Sequence, residues 1–277
     1  MKILAALVGN RRRRLIPGLV LLTPLVLMAV FAPHLPLQDP ELSLSDARHL
    51  PPSAAHPFGT DAFGMDVLSR VVHGARIDFV MTVASVALAL LLGVPVGAAA
   101  GYFGGTLENI TERLVEVLQS FPVLLSAMMI QIVFGRSLSF LIVVIGIYLA
   151  PFYVKLVRSV VKPLKDVEFI RAARVAGQTT SQILVRHLIP NALPEVVSQF
   201  ALSAAVAIRI LSGLSFLGLG VETPTPEWGA MIQIGAGWMV FGKWWPSLFP
   251  GLALFVTVFA LTQIGGELER MFSLREQ

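Results

Sequence analysis

Long stretches without charge dominate the chain. Leu15–Gln38, Phe79–Leu107, Val117–Gly135, Ser137–Val154 and Trp244–Gly266 contain no Asp, Glu, Lys or Arg, and Val196–Val221 is broken only by Arg209. A helix needs about 20 apolar residues to cross a bilayer core, so each run can span. The runs are apolar nearly all round, as buried or lipid-facing helices are. The two-residue alternation of a membrane barrel is absent. The pattern predicts an all-α integral membrane protein with six transmembrane helices. Arg11–Arg14 followed by Leu15–Phe31 has the layout of a signal peptide, but no small-x-small cleavage site follows, so an uncleaved first helix is expected.

Lys and Arg give an orientation. With six spans and the N-terminus inside, Lys2, Arg11–Arg14, Arg113, Lys155 to Arg186, Arg270 and Arg275 fall on the cytoplasmic side. Only Arg48, Arg70, Arg76, Arg136 and Lys243 fall outside. That bias places both termini in the cytoplasm. The expected division is a cytoplasmic segment 1–14, a first span 15–33, an outer loop 34–76 and a transmembrane core 77–265. The core carries a cytoplasmic loop 158–193 and an outer loop 220–246, and a cytoplasmic tail 266–277 follows it.

Composition agrees. Of 277 residues only 14% are charged and mean hydropathy is +0.76, where a soluble domain carries about 25% charged residues. Net charge +4 fits the inside bias better than nucleic-acid binding. With no Cys there is no disulfide, thiolate site or Cys nucleophile. The five His form no paired ligand spacing, and no carboxylate pair lies inside a span, so no catalytic residue or metal site is predicted. Gly237-Trp-Met-Val-Phe-Gly242-Lys243 fits GxxxxGK, but Trp244 stands where a phosphate loop needs Ser or Thr.

Three features are more specific. Gly93, Gly97, Gly101 and Gly105 recur every fourth position, a face for close helix approach within this chain or with a second membrane subunit. Arg209 costs ~2.5–3.5 kcal/mol at a span centre, which its apolar neighbours offset. It either pairs with a polar group of a partner or faces a pathway and attracts an anionic group. The loop from Glu168 to Asn191 reads as a helix over 166–176 with small Ala172, Ala173 and Ala176, capped by Gly177. Thr179 and Gln182 fit a capping box opening a second short helix, which Pro190 ends. Such a pair rests on lipid or forms a rigid knob for a partner's groove.

That loop resembles the EAA loop of bacterial ABC-importer permeases through Ala172, Ala173, Gly177 and His187-Leu-Ile-Pro190, with Arg171 where Glu commonly stands. His56-Pro-Phe-Gly-Thr-Asp61-Ala-Phe-Gly-Met-Asp66-Val-Leu-Ser-Arg70 resembles the HPLGTDxxGRDVLSR stretch of dipeptide, oligopeptide and nickel permeases of the second-subunit type, with Met65 replacing Arg. Leu214-Ser-Phe-Leu-Gly-Leu-Gly220 with Pro226-Glu-Trp-Gly229-Ala-Met resembles their LSFLGLGxxxPxPEWGxM block.

The resemblance implies a type I ABC-importer permease fold with cytoplasmic coupling helices, in the bacterial inner membrane. It implies a second homologous permease, two ATPase subunits that hold the ATP and magnesium, and an external solute-binding protein. No cofactor and no ATP hydrolysis are expected in this chain. Glu168, Arg171, Ala172, Ala173, Gly177, His187 and Pro190 would serve ATPase coupling. Arg209 is the pathway candidate. Asp61, Asp66, Glu222, Glu227 and Trp228 would face the binding protein. Leu211, where many peptide permeases carry Glu, and the divergent Gly265–Arg270 segment lean the cargo towards nickel or a metallophore over plain peptide. A stand-alone carrier or channel is the alternative.

Overall fold

The computed structural model describes residues 2–134 and 137–273. Gly135 and Arg136, expected at an outer hairpin, and the last four residues of the 266–277 tail lie outside them. Ten α-helices follow in chain order among the described residues: α1 (Lys2–Phe31), α2 (Val67–Phe103), α3 (Gly105–Ser120), α4 (Val123–Phe134), α5 (Leu138–Leu164), α6 (Glu168–Val175), α7 (Thr180–Ile183), α8 (Ile189–Phe216), α9 (Trp228–Ala236) and α10 (Trp245–Ser273). Five helical stretches are long and apolar enough to cross a membrane, or six if α3 and α4 count as one bent span. The bundle has two ends. One carries the 34–66 loop and α9 and is called the long-loop end; the other carries α6 and α7, the helix-pair end.

Three expectations are corrected. The run Val117–Gly135 is not one straight helix: α3 and the α4 stretch Val123–Val133 meet at 81°. The cause is Pro122, which pushes Phe121 into extended backbone (φ −87, ψ 127). The outer loop stops at Asp66 rather than at residue 76, because the Asp66 side chain caps α2 by accepting from the Ser69 N–H at 2.8 Å. At 37 residues α2 is about 55 Å long, well beyond a ~30 Å hydrocarbon core. Pro190 does not end the second short helix. The chain runs from α7 through a π turn, Leu184–Leu188, into α8, and Pro190 sits in the first turn of α8, where its missing N–H is harmless.

The glycine stripe packs inside this chain, against α5. A Cβ on Gly93 would lie 2.7 Å from the Ala150 carbonyl oxygen, and one on Gly97 2.6 Å from that of Val154. At Gly101 the Arg158 carbonyl oxygen would be 3.1 Å away. Backbones thus touch over about two turns, which is how helices gain van der Waals contact where lipid removes the hydrophobic drive. Gly105 does not share this contact and begins α3. Around the seam, Ile145, Leu149, Tyr153, Val157 and Val161 of α5 form the core with Ala204, Ala207 and Leu211 of α8.

Gly97→Leu is expected to destabilise the protein by about 1–3 kcal/mol through overpacking. Gly251→Ala, in α10 with nothing within 4 Å of the added carbon, should be neutral or stabilising by about 0.5–1 kcal/mol. Thermal melting of the purified protein in lipid nanodiscs compares the two; equal melting temperatures would contradict the packing assignment.

Candidate functional site

The helix-pair end is built as a two-faced knob. Helix α6 ends in a double cap: the Gly177 N–H donates to the Arg174 carbonyl at 3.0 Å and the Gln178 N–H to that of Ala173 at 3.1 Å. Gly177 carries φ 79, a conformation suited to glycine. The Thr179–Gln182 capping box then opens α7, with both of its hydrogen bonds formed. One face is sunk: Ile170, Ile183, Leu188 and Ala173 are buried in the main core. The other is open, with Glu168, Arg171 and Ala172 exposed and Val175 90% exposed. Ala173 therefore parts from Ala172. The sequence groups them as contact residues, but the structure turns Ala173 inward. His187 is half-buried, its Nε2 2.9 Å from Gln178 Oε1 across the turn, and Pro190 is exposed.

Two contacts tie this knob to the spans. The Arg174 guanidinium lies 5.3 Å from the ring centre of Tyr102, in the last turn of α2, and its Nη2 donates to the Lys165 carbonyl at 3.2 Å. Beside it, Arg158 of α5 pairs with Glu108 at 2.8 Å and with Glu112, while Lys162 pairs with Glu108 at 2.7 Å. The pairs clamp α3 along α5. No local pattern signals the Arg174–Tyr102 contact, whose partners are 72 positions apart.

The long-loop end is a knot of buried polar contacts. Arg70, almost fully buried on α2, donates through Nη1 to the carbonyls of Pro40 and Pro224, each at 2.8 Å, and its Nε lies 3.4 Å from Asp61. Asp61 accepts from the N–H groups of Phe63 at 2.8 Å and Met65 at 3.0 Å. Asp66, besides capping α2, meets His56 Nδ1 at 2.9 Å. Trp245 donates to the Thr60 carbonyl at 3.0 Å, and Trp228 to that of Val71 at 2.9 Å. Glu227 caps α9, accepting from Gly229 and Ala230, both at 2.8 Å. Asp61, Asp66, Glu227 and Trp228 are thus scaffold, buried inside the knot, and not the partner-facing groups the sequence suggested. Of the five candidates, Glu222 is exposed.

One residue was missed. Asp78 on α2 is fully buried; its Oδ2 accepts from the Trp228 N–H at 3.1 Å, and its carboxyl neighbours that of Glu227. The pair joins α2 to the cap of α9, with Glu227 outside the spans. Its sequence signal was an Asp directly before the uncharged run at Phe79. Burial pushes the Glu227 carboxyl up, and the two N–H groups of α9 offset part of that.

A cavity of about 540 Å³ opens between α5, α8 and α10 towards the helix-pair end. Its α8 wall is Asn191, Glu195, Ser198, Gln199 and Leu202. Further along α8, Arg209 is exposed; its Nε donates to the Ala205 carbonyl at 3.0 Å. Among the described residues no group of three or more His, Cys, Asp or Glu is placed to hold a metal ion.

Residues 93–272 match the family described as binding-protein-dependent transport system inner membrane component. The chain belongs to this family. It is 35% identical over 256 residues to a dipeptide transport system permease of Alkalihalophilus pseudofirmus, covering 92% of this chain and 84% of that one. A probable D,D-dipeptide transport system permease of Escherichia coli is 34% identical, with 89% and 82% covered. A glutathione transport system permease of Pectobacterium atrosepticum is 34% identical, with 87% and 80% covered. In fold it is similar to a chain of the MetNI methionine ABC transporter in inward-facing conformations, at TM-score 0.58 and 21% identity, over 73% of this chain and 95% of that one. The permease has the type I importer fold, and it is the membrane component, not the ATPase. The lean towards nickel or a metallophore finds no support, since these relatives are named for peptides and glutathione.

Because the native state holds the Glu227 proton more tightly than the unfolded chain, its contribution to stability falls as pH rises above the ordinary value of 4.5. Glu227→Gln removes that loss and brings an amide donor to Asp78. Melting temperatures across the range from about pH 5 to about pH 9 should fall less steeply for Glu227→Gln than for the unaltered permease; parallel curves would refute the assignment.

Proposed function

We propose that this chain is one of two related permeases of an ATP-driven importer of small peptides, working by alternating access. The single observation that carries the reading is the two-faced helix pair on a chain of this family. Its inner face is locked in the core, and its outer face shows Val175 at 90%, Val185 at 62% and Phe169 at 44% exposure. Open apolar side chains on a rigid unit outside the membrane fit a protein groove. The excess of Lys and Arg at this end supports a cytoplasmic side for it and for both termini, where the ATP-hydrolysing subunits would dock. The long-loop end would then face outward and receive a solute-binding protein on the knotted loops, with Glu222 among its exposed groups. The peptide cargo rests on the relatives' names. No observation favours a stand-alone carrier or channel.

The coupling follows from the contacts. ATPase closure would push on the outer face of α6. The push passes through Ile170 and Ala173 into the α5–α8 core, and through Arg174 and Tyr102 into α2. Packed interiors shift as units rather than deform smoothly, so the spans would rock and exchange inward for outward access.

Two tests follow. Ala172→Asp and Val175→Asp should leave the permease in the membrane with its second permease, yet reduce the co-purifying ATPase by about tenfold or more, since each buries an unpaired charge in the groove. Undiminished ATPase with both variants would overturn the docking reading. Tyr102→Ala should keep the ATPase bound but lower peptide uptake per ATP hydrolysed, and Tyr102→Phe, which keeps the ring, should restore it. Uptake per ATP unchanged in Tyr102→Ala would remove this contact from the coupling route.

A further inference from the structure

Arg209 is the charge that the scaffold does not use. It lies on α8 about two turns before the helix ends at the long-loop end. Its side chain does not reach towards that end. The Nε bond to the Ala205 carbonyl folds it back one turn, towards the bilayer middle. Its terminal nitrogens have no partner among the described residues. An arginine that neither snorkels to the near interface nor pairs within its chain cannot rest against lipid tails.

The α8 face it occupies is informative. Asn191 and Arg209 are about five helical turns apart and so point the same way. Between them on that face come Glu195, Ser198 and Leu202, which line the cavity of about 540 Å³. One turn beyond Arg209 is Gly213, where an added side chain would meet nothing within 4 Å. The opposite face, with Ala204, Ala207, Ile208, Leu211 and Leu214, is buried in the cores. One side of α8 is therefore structural, while the other is polar at its start, lines the cavity as far as Leu202, and is exposed and basic at Arg209, with Ala205 buried between.

We propose that this face lines the cargo pathway, and that Arg209 takes an anionic group of the cargo, such as the C-terminal carboxylate of a small peptide. The carboxylate rests on the peptide reading above; the lining role does not. A guanidinium in a narrow, low-dielectric passage holds a carboxylate through charge-assisted, often bidentate hydrogen bonds. With a single cation on the face, the carboxylate is held at one point and the rest of the cargo is left free.

The test uses the assembled importer in proteoliposomes and exploits the absence of cysteine from this chain. Gly213→Cys places a thiol one turn from Arg209, and labelling of the complex without it gives the background. We expect water-borne thiosulfonates to label it at a rate that changes with the nucleotide state of the ATPase. An anionic sulfonatoethyl reagent should outpace a cationic trimethylammonium one, and Arg209→Gln should lower that ratio about threefold or more. In uptake of radiolabelled dialanine, Arg209→Gln should lose about tenfold and Arg209→Lys much less, with complex assembly unchanged. No aqueous labelling in any nucleotide state, labelling by lipid-soluble reagents only, or a ratio indifferent to Arg209 overturns the inference. Loss of assembly in Arg209→Gln, restored by Arg209→Lys, also overturns it, in favour of a pair with the second permease. An unaltered importer that takes up no dialanine sinks the peptide reading instead, while the labelling ratio still decides the role of Arg209.

Discussion

The backbone contact between α2 and α5 sets the geometry of everything else. In water a helix pair is held by excluding solvent, but lipid offers no such drive, and what remains is close van der Waals approach. Gly93, Gly97 and Gly101 let α2 lie directly on the carbonyls of Ala150, Val154 and Arg158. Both helices are longer than the ~30 Å hydrocarbon core, so the seam fixes the relative height of groups far beyond it. At one extremity it presents Tyr102 to Arg174, and Arg158 and Lys162 to the carboxylates of α3. At the other it presents Val71 and Asp78 to Trp228. A slip of one turn along the seam would move these partners by about 5.4 Å and break both sets.

The two ends of the bundle use different chemistry, and the difference suits their tasks. At the long-loop end buried donors meet backbone carbonyls: Arg70 reaches Pro40 and Pro224, Trp245 reaches Thr60, and Trp228 reaches Val71. Hydrogen bonds of this kind have narrow geometry, and breaking one leaves a buried polar group without a partner. The loops are thereby fixed to the helices as a rigid platform. At the helix-pair end the attachment is mainly apolar, through Ile170, Ile183 and Leu188, with the Arg174 contacts to Tyr102 and the Lys165 carbonyl beside it. Apolar packing is less directional, so α6 can transmit a push with small sliding and few hydrogen bonds at stake.

Sequence made one half of this picture legible and hid the other. Signals confined to a few neighbouring residues held. The Thr179–Gln182 capping box and the left-handed Gly177 both appear as their spacing demands. Charge-free runs located the spans but not their ends, because a helix longer than the membrane carries its charges on projecting turns, as Arg70 does. Pro122 lay inside an apolar run whose hydropathy outweighed the local backbone rule. What stayed hidden depends on distant partners. Ala172 and Ala173 are chemically alike, and only the position of the core decides which faces outward. Asp61, Asp66 and Glu227 looked like solvent-facing acids in outer loops, but each finds its N–H donors within four residues and turns inward.

This division between scaffold and surface bears on how such a permease selects its cargo. At the long-loop end Asp61, Asp66, Arg70 and Glu227 are consumed in holding the loops and are not presented to a solute. The open face of α8 carries small and neutral groups over most of its length, with Glu195 at one end and Arg209 towards the other. One guanidinium distinguishes an anionic group from its absence, but it does not distinguish one side chain from another. Discrimination among peptides needs several converging contacts in a closed site, and no such set is assembled on this wall. Along the pathway proposed for this face, cargo would be checked for charge alone, and finer recognition would fall to whatever delivers the solute.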